Sequence, residues 1–430
     1  MIVLSLLSEI IASMLVIISP VISNKTATVF ILAGVLKCIF LTVFDMDKDY
    51  KTVLITSITS FMFYIGIILK LVLNIPTSQM YKETLLGVAG IIVGSIIAKL
   101  IYSYDHLVVM NSKKVAKITG ITTAMLLILC MIAYKLFMVT DKDDKPLGDG
   151  SIAIGSFTLQ LPEFIKILLV LVTFVASLLM YKNKTYIWFV YISSVISCVL
   201  VALYFKEFGT PLLIIYFTLA IGISLSTNYK YKGKCKNKAA DFLNSGFLPC
   251  IVGTLFFFAI KILKDILYQK YPLRGSIGEE IYKSEKWFDR SQRLWADAPQ
   301  TAEARNILKN APLIPLNLNF EVQIPNCEPE TAISDYCTVV LSLGFGKLIS
   351  ILLLATFVVL LVFISKKSDY LGKAASLMMI SQVTVQISGI MGFCFTGVNI
   401  PLISAGASSM FSSFVLLTFI IYSMRRNTNA

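Results

Sequence analysis

Charged residues are scarce in this sequence: they make up 15% of its 430 residues, whereas 57% are hydrophobic. Soluble domains usually carry about a quarter charged residues. The shortage excludes an ordinary soluble globular chain and indicates a protein that has the lipid bilayer as its main solvent. No basic segment precedes the first apolar run, so we interpret that run as a retained helix and not as a cleaved signal peptide.

Histidine is almost missing, and several catalytic motifs are missing altogether. The single histidine, His106, falls in a loop that we predict to be cytoplasmic. No HExxH motif, Ser-His-Asp set, Walker pattern or dinucleotide-binding glycine pattern occurs, which argues against a zinc hydrolase and against ATP-driven work. The eight cysteines show no metal-binding spacing. Cys327 and Cys337 leave two hypotheses open, a disulfide or two thiols.

Long apolar runs dominate the chain, and a membrane-spanning helix needs about 20 such residues. Twelve runs are candidates: roughly 2–23, 28–45, 52–74, 85–103, 118–140, 164–181, 187–205, 211–226, 246–268, 337–364, 374–393 and 402–424. They predict an all-α polytopic membrane protein with about 12 transmembrane helices and one large extracytoplasmic loop. The predicted regions are 1–140 (N-terminal helices), 141–270 (core helices), 271–336 (the large loop) and 337–430 (C-terminal core helices).

The net charge of +13 is distributed unevenly among the loops. Lys and Arg concentrate in the loops on one side of the predicted membrane, for example in the lysine-rich segment 230–238. By the positive-inside rule this side is cytoplasmic, and so are both termini. The basic excess is therefore a topology signal and predicts no nucleic-acid partner.

Polar residues at the ends of the apolar runs are costly in a membrane and are therefore informative. Glu163 and Lys166 stand three apart at the start of a helix, so they share one face. Glu207 precedes another helix, and Asp335 lies where the large loop re-enters the membrane. With no outer histidine, proton transfer there would need such carboxylates. The alternative interpretations are a structural ion pair for Glu163 and Lys166, a solvated loop acid for Glu207 and a helix N-cap for Asp335.

A fourth polar segment, "FTGVNIPLISAGASS", interrupts the apolar sequence near its C-terminal end and contains Ser404 and Ser408. Small residues usually serve close helix packing, whereas non-helical backbone at membrane depth is tolerated where it lines a cavity. The topology puts all four segments on the outer face. We therefore predict one shared extracytoplasmic site. Lysines inside apolar runs, such as Lys70, are interpreted as snorkelling to the interface, and Lys347 is a weaker site candidate.

These segments resemble, in the right order, the signatures of the SEDS family (shape, elongation, division and sporulation), the FtsW/RodA-like proteins. "TGVNIPLISAGASS" carries the most specific match, while "QLPEFIK", "EFGT" and "SDY" match shorter elements. "RSQRLWADAP", which contains Arg293, is similar to an arginine-rich part of that family's outer loop. The sequence departs from the family at Ala405 and Ala407, and it places two additional helices before the usual ten.

The resemblance implies a peptidoglycan glycosyltransferase that polymerises lipid II, an undecaprenyl-diphosphate-linked disaccharide, at the outer face of the bacterial cytoplasmic membrane. It implies Asp335 as the general base of an inverting transfer, with Lys166 and Arg293 near the diphosphate. Glu163, Glu207, Ser404 and Ser408 would line the substrate site. A divalent cation (Mg or Mn), a class B penicillin-binding protein as partner and a role in cell division or cell shape follow from the same resemblance.

Two other functions remain open at this stage. A transporter (flippase) of lipid-linked precursors would need polar residues through both leaflets, whereas the polar segments here lie on one side. A catalytically inactive scaffold for a penicillin-binding protein would fit the departures from the family signatures.

Overall fold

The computed structural model describes most of the chain after the first apolar runs. The described residues are 34, 50–110, 112–139, 150–155, 157–180, 183–205, 207, 209–230, 248–270, 299–314, 327, 329–391 and 398–429. The first two predicted spans, 2–23 and 28–45, therefore lie outside the described residues except for Gly34. So do Arg293 and most of the predicted large loop.

Thirteen α-helices and one β-hairpin make up the described part of the chain. The first seven helices are α1 (Tyr50–Val72), α2 (Thr77–Met110), α3 (Ser112–Phe137), α4 (Leu161–Leu179), α5 (Ile187–Val199), α6 (Gly209–Lys230) and α7 (Leu248–Lys270). The other six are α8 (Pro299–Asn310), α9 (Pro329–Asp335), α10 (Cys337–Phe345), α11 (Lys347–Lys367), α12 (Tyr370–Ile390) and α13 (Ala407–Asn429). The hairpin strands, between α3 and α4, are β1 (Ser151–Ile154) and β2 (Phe157–Gln160).

The prediction of an all-α polytopic membrane protein is confirmed. Seven of the described helical segments are long and apolar enough to cross a membrane: α1, α2, α3, α4, α5 with its flanking turns, α11 and α13. Shorter apolar stretches lie in α6 and α7. The predicted span 374–393 corresponds to α12, which is long enough but carries polar residues such as Gln382 and Gln386 that lower its hydropathy.

The centre of the bundle is formed by α12 and α13. Nearly every side chain of α12 is buried, including Gln382 and Gln386. The most extensive helix contact joins α13 to α2, and small residues on α2 make it possible. A Cβ added to Gly90 would lie 2.6 Å from the Phe411 carbonyl oxygen, and one added to Gly87 would lie 2.8 Å from the Phe414 ring. The two backbones are therefore closer than side chains on α2 would allow.

The outer helices present apolar side chains to the surroundings. On α3, Met125 and Leu129 are exposed, and on α5 Ile192 and Val195 are exposed. Exposed aliphatic residues on long apolar helices are what a lipid-facing surface requires. These helices therefore form the periphery of the bundle around the α12 and α13 core.

The predicted single span 337–364 is wrong. The chain breaks at Gly346, which has a φ of 82° and separates α10 from α11. A positive φ is readily adopted by glycine because it has no Cβ. Lys347 consequently stands at the start of α11 and not deep in a span, and its Nζ donates to the Lys309 carbonyl at 2.9 Å. Lys347 is therefore bound to the end of α8.

Two further local features were not predicted. Strands β1 and β2 pair antiparallel inside a segment that the sequence analysis treated as a loop, and Met138 forms an isolated bridge to Ile152. After α5, residues Leu200–Tyr204 form a π-helical turn. Such turns are rare and are often found next to functional sites. Both features lie next to segments that hold predicted site residues.

A polar cluster joins α2, α12 and α13 where α12 begins. The Asp369 side chain caps α12 by accepting from the Leu371 N–H at 2.9 Å. The same carboxylate accepts from the Tyr102 hydroxyl at 2.7 Å and from the Ser423 hydroxyl at 2.6 Å. Arg426 lies over the Tyr102 ring at 4.8 Å. This cluster ties the last turns of α13 to its neighbours.

Candidate functional site

The first predicted site residues lie in the opening turns of α4. Pro162 at the helix start is compatible with a first turn because the N–H groups there have no helical partner. Glu163 and Lys166 are both buried, and the Lys166 Nζ donates to Glu163 Oε1 at 2.6 Å. The other carboxylate oxygen of Glu163 accepts from the Ser412 hydroxyl of α13 at 2.6 Å. The predicted same-face pair is thus present and fully partnered.

Glu207 lies in the connection between the π-helical turn and α6. Its Oε1 accepts from the Thr210 N–H at 2.8 Å, so Glu207 binds the first turn of α6 as a cap does. As a residue Glu207 is half-buried, but its Oε2 is shielded from solvent and has no partner among the described residues. Burial raises the pKa of Glu207 from 4.5 to about 7, and the Thr210 N–H and the Lys166 charge only partly oppose that rise.

Asp335 is the last residue of α9, so the alternative interpretation of it as the N-cap of the following helix is wrong: Tyr336 holds that place. The Ser334 hydroxyl lies 3.1 Å from Asp335 Oδ1. From α12, the Gln386 Nε2 donates to the Asp335 carbonyl at 3.4 Å. Gln386 Oε1 in turn accepts from the Thr338 hydroxyl at 2.5 Å. Asp335 is therefore half-buried at a junction of α9, α10 and α12.

Residues 398–406 of the glycine- and serine-rich segment are non-helical, and all of them except Gly406 are buried. Ser404 stabilises it internally, because its hydroxyl accepts from the Ile400 N–H at 2.7 Å. Asn399 Oδ1 accepts from the Ser334 hydroxyl at 2.7 Å, and the Ser404 hydroxyl donates to the Ser334 carbonyl at 3.5 Å. We call residues 398–406 the Pro401 turn. Its contacts place it directly against α9.

Ser408 and Gln160 connect the hairpin to the start of α13. The Gln160 N–H donates to the Ser408 hydroxyl at 3.1 Å. Because Gln160 also precedes the first residue of α4, this bond places the first turns of α4 and α13 side by side. Ser408 therefore has a structural contact, in addition to its predicted place in a substrate site.

Lys70 and Glu83 form a second buried ion pair, which the sequence analysis missed. Lys70 is 1% exposed and its Nζ donates to Glu83 Oε2 at 2.5 Å, so the prediction that Lys70 snorkels to the interface is wrong. The other oxygen, Glu83 Oε1, accepts from the Gly406 N–H at 2.9 Å. The helix α2 begins at Thr77, earlier than predicted, and this start places Glu83 inside the helix and opposite Lys70.

These contacts gather the predicted residues at one end of the bundle, which we call the site end. Glu163 bonds to Ser412 and the Gln160 N–H bonds to Ser408 in the first turns of α13. Glu83 bonds to Gly406 just before α13, and Asp335 lies beside Ser334, which bonds to the Pro401 turn. Glu207 lies close enough to feel the Lys166 charge. Cys327 and Cys337 carry thiols and are not joined by a disulfide.

The predicted divalent cation finds no complete protein site in the described ranges. No group of three or more His, Cys, Asp and Glu side chains in those ranges is placed to hold a metal ion. The described donor set therefore does not fit a metal site built from protein ligands alone.

The fold and this cluster define a polytopic α-helical membrane protein with buried ion pairs and carboxylates collected at one end. No protein-family model and no curated protein sequence matches the chain. Among solved structures, the chain is similar to one from a study of the structural coordination of polymerization and crosslinking by a peptidoglycan synthase complex. The TM-score is 0.54 at 12% sequence identity, over 90% of this chain and 100% of the other. At that identity the likeness concerns the fold.

Proposed function

We propose that this protein is a divergent SEDS-type peptidoglycan glycosyltransferase that polymerises lipid II. The observation that carries the proposal is the fold likeness to a chain of a peptidoglycan synthase complex over 90% of this chain. The sequence signatures support it independently. Their residues are distant in sequence, but Gln160, Glu163 and the Ser334 beside Asp335 all contact the Pro401 turn or the first turns of α13.

Asp335 is the proposed general base. Its carboxylate would take the proton from the acceptor sugar hydroxyl while that oxygen attacks the anomeric carbon of the donor. The bond from the anomeric carbon to the diphosphate oxygen breaks, and undecaprenyl diphosphate leaves with the electron pair. The Ser334 hydroxyl, 2.7 Å from Asn399 Oδ1 and 3.1 Å from Asp335 Oδ1, has one proton to donate. Its bond to Asn399 holds this hydroxyl beside the Asp335 carboxylate.

Lys166 is proposed to contribute positive charge for the diphosphate. A buried ammonium group has a strong field because the surroundings have a low dielectric constant. Glu163 holds Lys166 in place at 2.6 Å, and Ser412 holds Glu163. Glu207, Ser404 and Ser408 stay predicted lining residues, and Arg293 lies outside the described residues. The site end would face the outside of the cytoplasmic membrane, with both termini inside.

A class B penicillin-binding protein is the proposed partner, and a divalent cation remains a prediction of the family resemblance. The partner proposal is supported by the neighbouring fold, which comes from a complex that both polymerises and crosslinks. The exposed apolar faces of α3 and α5 would be open to lipid or to a partner helix.

The experiment is lipid II polymerisation by the purified protein with a class B penicillin-binding protein. We expect glycan polymer from the wild type and at least about a 100-fold lower rate from Asp335→Asn, since general base catalysis contributes about 10²–10⁴-fold. The substitution preserves shape, so the melting temperature should hardly change. Equal rates would remove Asp335 from the mechanism.

The alternative functions give different results in the same preparation. Transfer of lipid II across liposomes without polymer would support a transporter. Absence of polymer from the wild type, together with an increase in polymer or crosslinks made by the partner, would support a scaffold.

A further inference from the structure

We infer that Lys70 and Glu83 are a positioning pair for Asp335. Glu83 would fix the Pro401 turn through the Gly406 N–H, and the Pro401 turn would fix the Ser334 hydroxyl beside the Asp335 carboxylate. The inference rests on the proposed function for its catalytic meaning, while the positional claim can be measured separately.

Burying the charges of Lys70 and Glu83 costs free energy. Both side chains are almost fully buried, at 1% and 3% exposure. Removing two charges from water is expensive, and apolar residues of similar volume are often as stable or more stable in such places. Packing alone therefore gives little reason for a lysine and a glutamate here.

Glu83 contacts the Pro401 turn at its last residue, Gly406. Gly406 has a φ of 127°, in the region that side-chain-bearing residues rarely adopt. Its N–H donates to Glu83 Oε1 at 2.9 Å just before α13 begins. A carboxylate also suits this place because the start of a helix carries partial positive charge. Lys70 holds the other oxygen of Glu83, so the acceptor has a fixed direction.

Asn399 and Ser334 connect Gly406 to Asp335. A Cβ on Gly406 would lie 3.8 Å from Asn399 Nδ2, so Gly406 and Asn399 pack together within the turn. Asn399 Oδ1 accepts from the Ser334 hydroxyl at 2.7 Å, and Ser334 neighbours Asp335. From the other side, the Cys337 thiol lies within reach of the Ser404 hydroxyl and in the field of Lys70. The pair, the turn and the Asp335 segment are thus in continuous contact.

The backbone of α1 packs against the Pro401 turn. A Cβ on Gly66 of α1 would lie 2.7 Å from the Ile403 carbonyl oxygen, so α1 supports the turn directly. α1 carries Lys70 one turn later and also contacts α9 and α10. α1, which carries the buried Lys70 ammonium group, therefore contacts both the Pro401 turn and the Asp335 segment.

The test compares two double variants that differ in one acceptor. Lys70→Met/Glu83→Gln removes both charges but keeps a side-chain oxygen for the Gly406 N–H. Lys70→Met/Glu83→Met removes the charges and the oxygen. The buried amide group of Gln has unpartnered donors, so the Gln variant should be no more stable than the Met variant. Higher activity of the Gln variant could then not be attributed to stability.

Hydrogen exchange is measured on the full-length wild type and on both variants in nanodiscs. We expect peptides from 398–406 and from 329–336 to exchange at least about tenfold faster in the Met variant than in the Gln variant, the factor for losing about one such hydrogen bond. With lipid II and the partner, kcat should fall by a similar factor in the Met variant with little change in KM.

Equal exchange in the two variants would overturn the inference, and so would faster exchange in 398–406 with none in 329–336. If the wild type itself makes no polymer, the proposed function fails, while the exchange result still decides the positional claim. If polymer forms and both variants have the same kcat, the pair has no positioning role in catalysis.

Discussion

The two buried ion pairs at the site end differ in how far apart their partners lie in the chain. Glu163 and Lys166 are three residues apart on α4. Lys70 and Glu83 lie on α1 and α2 and are 13 residues apart, across a turn. A pair within one helix fixes a side chain on that helix, whereas a pair between two helices also fixes the helices relative to each other.

Both carboxylates use their second oxygen near the start of α13, but on different groups. Glu163 accepts from the Ser412 side chain and Glu83 accepts from the Gly406 backbone. The bond to Ser412 involves only a side chain and does not constrain the backbone of α13. The bond to the Gly406 N–H constrains the backbone just before α13 begins. We therefore expect the α4 pair to contribute charge to the proposed site and the α1–α2 pair to fix the Pro401 turn.

The largest expected effect comes from breaking either pair by removing its acid. Glu163→Ala and Glu83→Ala should each lower the free energy of unfolding by about 3–5 kcal/mol, because each leaves an ammonium group buried without a partner. Thermal unfolding in detergent measures the change. The double variants Lys166→Met/Glu163→Met and Lys70→Met/Glu83→Met should regain most of the loss. A near-neutral single variant would mean that the lysine reaches water.

A smaller effect is expected from removing the hydrogen bond to the second oxygen of Glu163. Ser412→Ala should cost about 1.5–3 kcal/mol, since hydrogen bonds to charged groups contribute in that range. The control is the neighbouring Ser413→Ala: Ser413 is also buried, but its hydroxyl has no partner among the described residues. Removing that hydroxyl should be neutral or stabilising. Equal losses at the two positions would contradict the assigned bond, and the same thermal assay decides.

The smallest effect concerns Glu207, which feels the Lys166 charge but forms no ion pair among the described residues. Burial raises its pKa from 4.5 to about 7, so the folded state favours the protonated form. Its contribution to stability is complete below about pH 4.5 and is lost as the pH rises through about 7. Wild-type melting temperature should therefore fall relative to Glu207→Gln across that window. Parallel curves for the two proteins would show that the carboxyl is solvated.

The sequence was sufficient to predict what depends on composition and short spacing. The apolar runs predict the helical membrane fold, and the three-residue spacing predicts the contact between Glu163 and Lys166. The contact between Lys70 and Glu83 was missed because the second helix was predicted to begin at about residue 85 and begins at Thr77. Asn74, with a φ of 56°, ends α1 tightly and makes this early start possible.

Other misses have the same kind of cause. The break at Gly346 falls inside an uninterrupted apolar run, where hydropathy does not distinguish one long helix from two shorter ones. The 151–160 hairpin is stabilised by pairing between its own strands, and no apolar run marks it. The gathering of Glu163 and Asp335 at one end was predicted from topology, but the Ser334 and Asn399 contacts needed the folded chain.

The attachment of α13 at both of its ends restricts how this protein can move. One end is bonded to Glu83 and the other to Asp369 through the Ser423 hydroxyl. A shift of α13 along its axis by one residue, about 1.5 Å, would disturb both bonds. We therefore expect larger movements in the peripheral helices than in α13. Spin-label distances should be recorded from α13 as the stationary reference.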